Sequence, residues 1–158
     1  MKKLPIVERL QTELAEIRRE LNIDLPKVIE TAREHGDLRE NAEYHAAKER
    51  QGMLHARAGA LESRLKELSL YTISSIPRDG IGYGSVVELE DADSGDVVKY
   101  EMVFAEEVDA AAGRISLSSP VGQALIKKSE GDEVTIQLPN GRKTYAVVSV
   151  QTLHDRDL

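Results

Sequence analysis

The sequence predicts an α+β protein with a long antiparallel helical hairpin, residues 1–74, followed by a small domain with a mainly antiparallel sheet, residues 75–158. Three observations predict this fold. Apolar residues recur at alternating spacings of three and four through the first half. Beyond residue 80 the pattern changes to short runs rich in β-branched residues, separated by Gly-containing turns. A polar segment that contains Pro77 and Gly80 separates the two patterns.

The composition is that of a globular protein and excludes several classes of function. Of the 158 residues, 41% are hydrophobic and 31% are charged. There is no Cys, which excludes disulfides, thiol nucleophiles and thiolate zinc sites. No apolar run approaches the roughly 20 residues of a membrane-spanning helix. We therefore expect a cytoplasmic protein with no membrane partner.

The charge distribution separates the two halves of the chain. The net charge is −7, which argues against a general nucleic-acid binder. Residues 1–70 contain 13 basic and 13 acidic side chains, whereas residues 71–158 contain 8 and 15. All the excess acid therefore lies in the second half, as expected for two units with different surroundings.

The first predicted helix carries an apolar stripe with one irregularity. The stripe consists of Val7, Leu10, Leu14, Ile17, Leu21, Leu25, Val28 and Ala32. The step from Leu21 to Leu25 adds a second spacing of four, which is a stutter in the seam. Pro26 follows, and a proline inside a helix removes a backbone hydrogen bond. We expect a break near Asp24–Pro26, and a helix end at His35 with Gly36 in a left-handed conformation.

A second predicted helix, from Asn41 to Leu68, carries a regular heptad seam. Its members are Tyr44, Ala47, Gln51, Leu54, Ala58, Leu61, Leu65 and Leu68. At about 1.5 Å per residue this helix is on the order of 40 Å long. Because the connection between the helices is short, they must run antiparallel as a coiled-coil hairpin with its tip at residues 36–41. The hairpin closes on itself, so we expect a monomer.

The second half is predicted to hold five strands and one short helix. The strands are Ser85–Glu90, Val97–Phe104, Arg114–Ser118, Glu133–Leu138 and Lys143–Thr152. Asp93-Ser94-Gly95 and Pro139-Asn140-Gly141 are turn signals. Ser119 is predicted to cap a helix over Val121–Lys127, with Pro120 at its first position. The tail from His154 onward is expected to fray.

Two carboxylates at the predicted tip allow two interpretations. Asp37 and Glu40 have the spacing of a capping box, with Asp37 as N-cap and Glu40 at the third position of the second helix. Paired carboxylates are also weak ligands for Mg²⁺, which commonly takes one or two of them together with phosphate oxygens. In a site that already holds one metal and a phosphodiester, the pair could complete a two-metal centre. The spacing alone favours capping and leaves the metal role open.

Basic and histidine side chains near the tip are weaker signals. Arg39, His45, Lys48 and Arg50 place positive charge where an RNA backbone could pass, although such charges are more often a solvated face. His35, His45 and His55 lie ten residues apart, so they do not share one helix face. We expect exposed histidines and no zinc site.

A long motif then relates the chain to a known family. The segment Ala32–Glu49, AREHGDLRENAEYHAAKE, resembles the tip signature of the GreA/GreB family of bacterial transcript-cleavage factors. A second stretch, Ser119–Lys128 followed by Gly131–Val134, resembles the same family. The resemblance covers nearly the whole chain. It implies a coiled-coil hairpin followed by an FKBP-like domain.

The resemblance also implies a partner, a cofactor and roles for individual residues. The partner would be bacterial RNA polymerase, whose secondary channel the hairpin enters to reach the 3′ end of a backtracked RNA. Asp37 and Glu40 would help to hold the second catalytic Mg²⁺ in that complex, and the free protein would hold almost none. Contacts with the RNA would come from Arg39, Asn41, Tyr44, His45, Lys48 and Arg50. A loop of Ser118, Ser119, Pro120 and Val121 would dock at the rim of the channel.

On this reading the protein has no active site of its own and is a cofactor for hydrolysis by the polymerase. One alternative is an inhibitor of the same fold that occupies the channel without promoting cleavage. A second is a prolyl isomerase, which the scarcity of aromatic residues argues against because only 4% of the chain is aromatic. A third is a coiled-coil adaptor that uses the seam to bind another helix.

Overall fold

The structure is a computed structural model that describes residues 3–36 and 41–156. The chain divides into two compact units, Met1–Tyr71 and Thr72–Leu158. The first is helical and the second is mostly strand, so the predicted α+β architecture is confirmed. Among the described residues, no helix combines the length and apolar character needed to cross a membrane.

The first unit is an antiparallel helical hairpin. Helix α1 (Pro5–Arg19) leads through a π-helical turn (Glu20–Asp24) into α2 (Leu25–Glu34), and both α1 and α2 pack against α3 (Ala42–Leu68). The ion pairs that join the first arm to α3 include Glu13 with Arg57 and Glu20 with Arg50. The second pair lies seven residues further along the first arm and seven residues earlier in α3. The predicted antiparallel hairpin is therefore confirmed.

The predicted break in the first helix is wrong, because a single π-helical turn replaces it. The N–H of Leu25 donates to the carbonyl of Glu20, an i→i−5 bond, and Asp24 keeps right-handed helical dihedral angles. Pro26 follows this π-helical turn, at the start of α2. The helical path thus continues from Pro5 to Glu34.

The π-helical turn also changes which residue faces the hairpin seam. Val28, predicted to lie in the stripe, is 48% exposed, whereas Ile29 is 8% exposed. One extra residue in the turn delays the helix by one position, so the buried face passes from Leu25 to Ile29. At the start of α1, Ile6 is fully buried and Val7 is half-buried.

Helix α3 follows the predicted heptad seam. Its buried members are Ala47, Leu54, Ala58, Leu61 and Leu68. The other predicted members, Tyr44, Gln51 and Leu65, are half-buried. The seam alternates with charged positions, which is the pattern of a helix that needs one partner of matching length.

The second unit contains a five-stranded sheet in the order β3-β2-β1-β5-β4. The strands are β1 (Val86–Asp91), β2 (Val97–Val103), β3 (Arg114–Ser116), β4 (Glu133–Leu138) and β5 (Gly141–Gln151). All neighbouring strands are antiparallel except β2 and β3, which pair in parallel. All five predicted strands are present, with β3 shorter than predicted and β5 beginning two residues earlier.

The core of the second unit lies under one face of this sheet. It is formed by Ile81, Val87, Leu89, Met102, Leu125, Val134, Ile136, Tyr145 and Val147. The short helix α4 (Pro120–Leu125) supplies Leu125 to this core. Helix α4 ends two residues earlier than predicted, and Lys127 then adopts a left-handed conformation with φ +70°.

The tail is anchored rather than frayed as far as Arg156. Its guanidinium Nη1 donates to the carbonyl of Gly84 at 2.9 Å and to Glu101 Oε1 at 2.8 Å. His154 Nε2 lies 2.8 Å from the carbonyl oxygen of Ile76. The predicted fraying is therefore wrong for residues 154–156, because polar contacts compensate for a short terminal segment.

Candidate functional site

The tip of the hairpin begins where α2 ends. Helix α2 stops at Glu34, His35 is its C-cap and Gly36 has φ +114°. This is the left-handed conformation that glycine adopts without a Cβ penalty. The helix end predicted at His35 and Gly36 is confirmed.

Helix α3 begins at Ala42 with Asn41 as its N-cap. The backbone of Asn41 is extended, with φ −84° and ψ 102°, and its side-chain Oδ1 accepts the N–H of Tyr44 at 3.1 Å. Asn is among the best N-cap residues because its short side chain reaches an otherwise unpaired N–H of the first turn. The N-cap is therefore Asn41 and the third helical position is Tyr44.

The predicted capping box of Asp37 and Glu40 is consequently wrong. A residue that precedes Ala42 by five positions cannot cap α3, and Glu40 precedes the N-cap. Asp37, Arg39 and Glu40 lie outside the described residues. The sequence pattern misled because an Asp-x-x-Glu spacing occurs just before a helix whose first turn is capped by a different polar residue.

The side chain of Asn41 also reaches the other arm of the hairpin. Its Nδ2 donates to the carbonyl of Ala32 at 2.7 Å. Ala32 is 1% exposed and its carbonyl also accepts the N–H of His35 at 3.2 Å. Asn41 thus contacts both helices that meet at the tip.

An aromatic and basic cluster lies beside this contact. The guanidinium carbon of Arg33 lies 6.0 Å from the centroid of the Tyr44 ring, within the range of a cation–π contact. The rings of Tyr44 and His45 meet edge to face at 5.7 Å. The structure therefore brings Asn41, Tyr44 and His45 together at the tip. Sequence reasoning missed Arg33, because only the fold places it opposite Tyr44.

The remaining predicted basic residues are engaged within the hairpin. Lys48 Nζ donates to Gln51 Oε1 at 2.9 Å, and Arg50 makes a two-pronged ion pair with Glu20. The hydrogen bond from Arg50 lowers the pKa of Glu20, and the same bond raises the pKa of Arg50. The charge of Arg50 is therefore balanced by Glu20 in the free protein.

The contact loop predicted in the second unit, residues 118–121, has a fixed local conformation. Ser119 Oγ accepts the N–H of Gly122 at 3.0 Å and donates to the carbonyl of Ser116 at 2.7 Å. The N–H of Ser118 donates to Ser116 Oγ at 3.1 Å. Ser118 and Pro120 are exposed, whereas Val121 is half-buried against the core. The predicted cap by Ser119 and the position of Pro120 are confirmed.

Comparison with known proteins identifies the family. Residues 6–69 match the sequence model described as "Transcription elongation factor, N-terminal". Residues 76–152 match the model described as "Transcription elongation factor, GreA/GreB, C-term". The chain belongs to the GreA/GreB family of transcription elongation factors. Both units of this GreA/GreB protein are covered by the matches.

Individual relatives agree with this assignment. Transcription elongation factor GreA of Nitratidesulfovibrio vulgaris (strain DSM 19637 / Miyazaki F) is 42% identical over 95% of this chain and 96% of its own length. Transcription elongation factor GreA of Thioalkalivibrio sulfidiphilus is 40% identical over 96% of this chain and 99% of its own length. Among solved structures, GreA factor homolog 1 (Gfh1) of Thermus thermophilus has 31% sequence identity with this chain. The superposition covers 91% of this chain and 93% of the Gfh1 chain, with a TM-score of 0.42.

Proposed function

We propose that this GreA/GreB protein binds bacterial RNA polymerase through the secondary channel and stimulates the polymerase to cleave backtracked RNA. Asp37 and Glu40 are the two residues that carry this function. The hairpin delivers them from the end of an α3 helix that is about 40 Å long. The contact loop at residues 118–121 docks at the channel rim.

One observation carries the proposal. Asn41 takes the N-cap of α3, so capping of this helix does not account for the two acidic residues that precede it. Two carboxylates in a helix-connecting segment suit a hard divalent cation. This donor chemistry fits Mg²⁺, and the family membership of the chain supports the same assignment.

The roles of the residues follow from their chemistry. The chemistry that Mg²⁺ would supply when held by this pair is activation of a water for attack on the phosphodiester. Asp37 and Glu40 would supply oxygen ligands, and Asn41, which follows them in the sequence, caps the start of α3. Tyr44, with Arg33 at its ring, offers an aromatic surface for an RNA base, since stacking on aromatic rings tolerates any base.

The test uses a stalled, backtracked bacterial elongation complex in Mg²⁺. Wild-type protein is expected to release short 3′-terminal RNA fragments. Asp37→Asn and Glu40→Gln should each slow this cleavage on the order of 100-fold, since each removes an anionic ligand. Binding to polymerase, measured by competition with labelled wild-type protein, should stay within about twofold.

The matched control is Glu43→Gln, an acidic residue in the first turn of α3 just beyond the pair. It should cleave as the wild type does. Equal activity of the wild type, Asp37→Asn and Glu40→Gln would refute the roles of the pair. Binding to polymerase with slowed elongation and no cleavage would favour the inhibitor of the same fold. Absence of binding would favour the coiled-coil adaptor.

A further inference from the structure

The turn between β4 and β5 presents an Asn-Gly dipeptide to solvent. Pro139 and Asn140 connect the two strands, whose last paired residues are Leu138 and Gly141. Asn140 and Gly141 are both exposed, and Gly141 has φ +125°, a conformation that favours glycine. Apart from its two chain neighbours, no atom of the described residues lies within 4 Å of the position where a Cβ on Gly141 would be. The Asn140–Gly141 peptide is therefore open to water and has room to rearrange.

An asparagine that is followed by glycine can react with its own main chain. The main-chain nitrogen of the following residue attacks the side-chain carbonyl carbon, and a five-membered succinimide ring forms as ammonia leaves. A side chain on the following residue hinders this approach, and glycine has none. Hydrogen bonds to the asparagine amide also oppose the reaction, because they hold the amide in place. Among the described residues, no group makes a hydrogen bond with the Asn140 amide.

The other two asparagines of the chain are held by helices. Asn41 Oδ1 accepts the N–H of Tyr44 at 3.1 Å, and Asn41 Nδ2 donates to the carbonyl of Ala32 at 2.7 Å. Asn22 lies in the π-helical turn, and the residue after it is the β-branched Ile23. A stiff, branched side chain crowds the main-chain nitrogen that would have to attack. Asn22 and Asn41 are therefore internal references for the reactivity of Asn140.

Asp79–Gly80 is a second dipeptide that could form the same ring, with loss of water instead of ammonia, but the structure holds it in place. Gly80 is buried, and a Cβ there would lie 3.4 Å from the carbonyl oxygen of Lys127. The carbonyl of Asp79 accepts the hydroxyl of Ser129 at 2.9 Å. Both halves of this dipeptide are thus packed or bonded, whereas Asn140–Gly141 is exposed.

We propose that Asn140 is a site of spontaneous deamidation in the folded protein. The Gly141 nitrogen forms a bond to Asn140 Cγ, its proton passes to the departing amide nitrogen, and ammonia leaves. One water molecule then opens the ring at either of its two carbonyls. Opening at one carbonyl gives aspartate, and opening at the other gives isoaspartate, in which the main chain runs through the side-chain carbon. The inference is independent of the proposed function.

The two products have different consequences for the sheet. Both make the net charge of −7 one unit more negative, because a neutral amide becomes a carboxylate. Isoaspartate also adds one main-chain carbon to the turn, whose length sets the pairing of Leu138 with Gly141. Strand β4 is an edge strand beside β5, and it supplies Val134 and Ile136 to the core. We therefore expect isoaspartate, but not aspartate, to loosen β4.

The first test follows the full-length protein during incubation at mildly alkaline pH. Peptide mapping by mass spectrometry measures the loss of each asparagine amide, and labelling with an isoaspartate methyltransferase measures isoaspartate. Asn140 should react at least about tenfold faster than Asn22 and Asn41, because the residue after it has no side chain. Isoaspartate should form more slowly at Asp79 than at Asn140. Gly141→Ala should slow the loss at Asn140 by about tenfold.

Three results would overturn the proposal. They are equal rates at the three asparagines, an unchanged rate in Gly141→Ala, and reaction at Asn140 only when the chain is denatured in urea. The last of these would mean that the folded turn protects the amide.

The second test separates the effects of the two products. Anion exchange isolates the isoaspartate form, and Asn140→Asp supplies the same charge with an ordinary main chain. Hydrogen exchange at Val134 and Ile136 should be about tenfold faster in the isoaspartate form than in the wild type. In Asn140→Asp it should stay within about twofold of the wild type. Equal exchange in the two modified proteins would overturn the loosening of β4, while the rates of amide loss decide whether Asn140 deamidates.

Discussion

The guanidinium of Arg50 and the carboxylate of Glu20 form a two-pronged ion pair that bridges the hairpin at its π-helical turn. Arg50 Nε lies 2.7 Å from Glu20 Oε2, and Arg50 Nη2 lies 3.1 Å from Glu20 Oε1. Such paired geometry fixes direction as well as distance. Glu20 is the first residue of the π-helical turn, so the pair joins the irregular part of the first arm to the regular helix α3.

This pair should couple the two arms in a salt-dependent way. In a double-mutant cycle of Glu20→Gln and Arg50→Ala, the coupling in thermal unfolding should be favourable at low ionic strength and should shrink as salt is added, because both side chains are accessible to solvent. Glu16→Gln, one turn earlier on the same arm, is the control for removal of an acidic charge. Coupling that is independent of salt would contradict this prediction.

The pair also bears on the predicted RNA contact of Arg50. Because Glu20 already occupies the guanidinium, an RNA phosphate must compete with a carboxylate for the same donors. The RNA contact therefore stays a prediction. We expect it to require that the ion pair opens within the polymerase complex.

Substitution of two neighbouring residues should reveal the register that the π-helical turn imposes. Ile29→Ala should destabilise the hairpin by about 2–4 kcal/mol, because it empties a buried position. Val28→Ala, at an exposed position, should change stability by less than about 0.5 kcal/mol. The measurement is thermal unfolding followed by the helical circular dichroism signal. A larger loss in Val28→Ala would mean that the first arm follows the regular stripe instead.

Two glycine substitutions should act in opposite directions. A Cβ on Gly122 would lie 2.2 Å from the carbonyl oxygen of Ser116 and 2.9 Å from that of Leu117, so backbone would have to move. Gly122→Ala should destabilise the second unit by about 1–3 kcal/mol and weaken polymerase binding through the contact loop. Chemical denaturation and competition binding measure the two effects.

The matched control for this substitution is Gly59→Ala in α3. Apart from the adjoining backbone of its own helix, no atom of the described residues lies within 4 Å of the position where its Cβ would be. It should stabilise the hairpin by about 0.5–1 kcal/mol, since alanine favours a helix interior. Equal effects of both substitutions would contradict the close approach of the backbone at Gly122.

The second unit should lose stability in acid through two aspartates. The N–H of Asp93 lowers the pKa of Asp91 from its ordinary value of 3.8, with further lowering by Ser94 and Lys143. The N–H of Thr152 lowers the pKa of Asp155 in the same direction. A lowered folded-state pKa gives stability that is present above the unfolded pKa and is lost as the pH falls through the folded pKa.

We therefore expect the free energy of unfolding to rise with pH through the acid range and to level off above the ordinary aspartate pKa of 3.8. Urea denaturation at a series of pH values measures this for the wild type and Asp91→Asn. The amide retains an oxygen for the N–H of Asp93 but loses the charge that pairs with Lys143. The difference between the two proteins should shrink as the pH falls, and a constant difference would contradict the assignment to Asp91.

The sequence by itself determined those features whose cause is local. The heptad of α3 requires one long partner, and Gly36 supplies a left-handed helix end. Ser119 and Pro120 favour a helix start through their own side chains, independently of distant parts of the chain. Alternation and turn residues located the five strands for the same reason. The tip motif was sufficient to indicate the family.

Only the tertiary structure decided the features that depend on two distant segments. The carbonyl of Ala32 on the opposite arm accepts a hydrogen bond from Asn41 Nδ2, a contact that no local pattern indicates. An i→i−5 bond shifts the seam from Val28 to Ile29, and the apolar pattern fits either residue. A local sequence pattern limits the contacts that a residue can make, and the packing of the two arms decides which of these contacts forms.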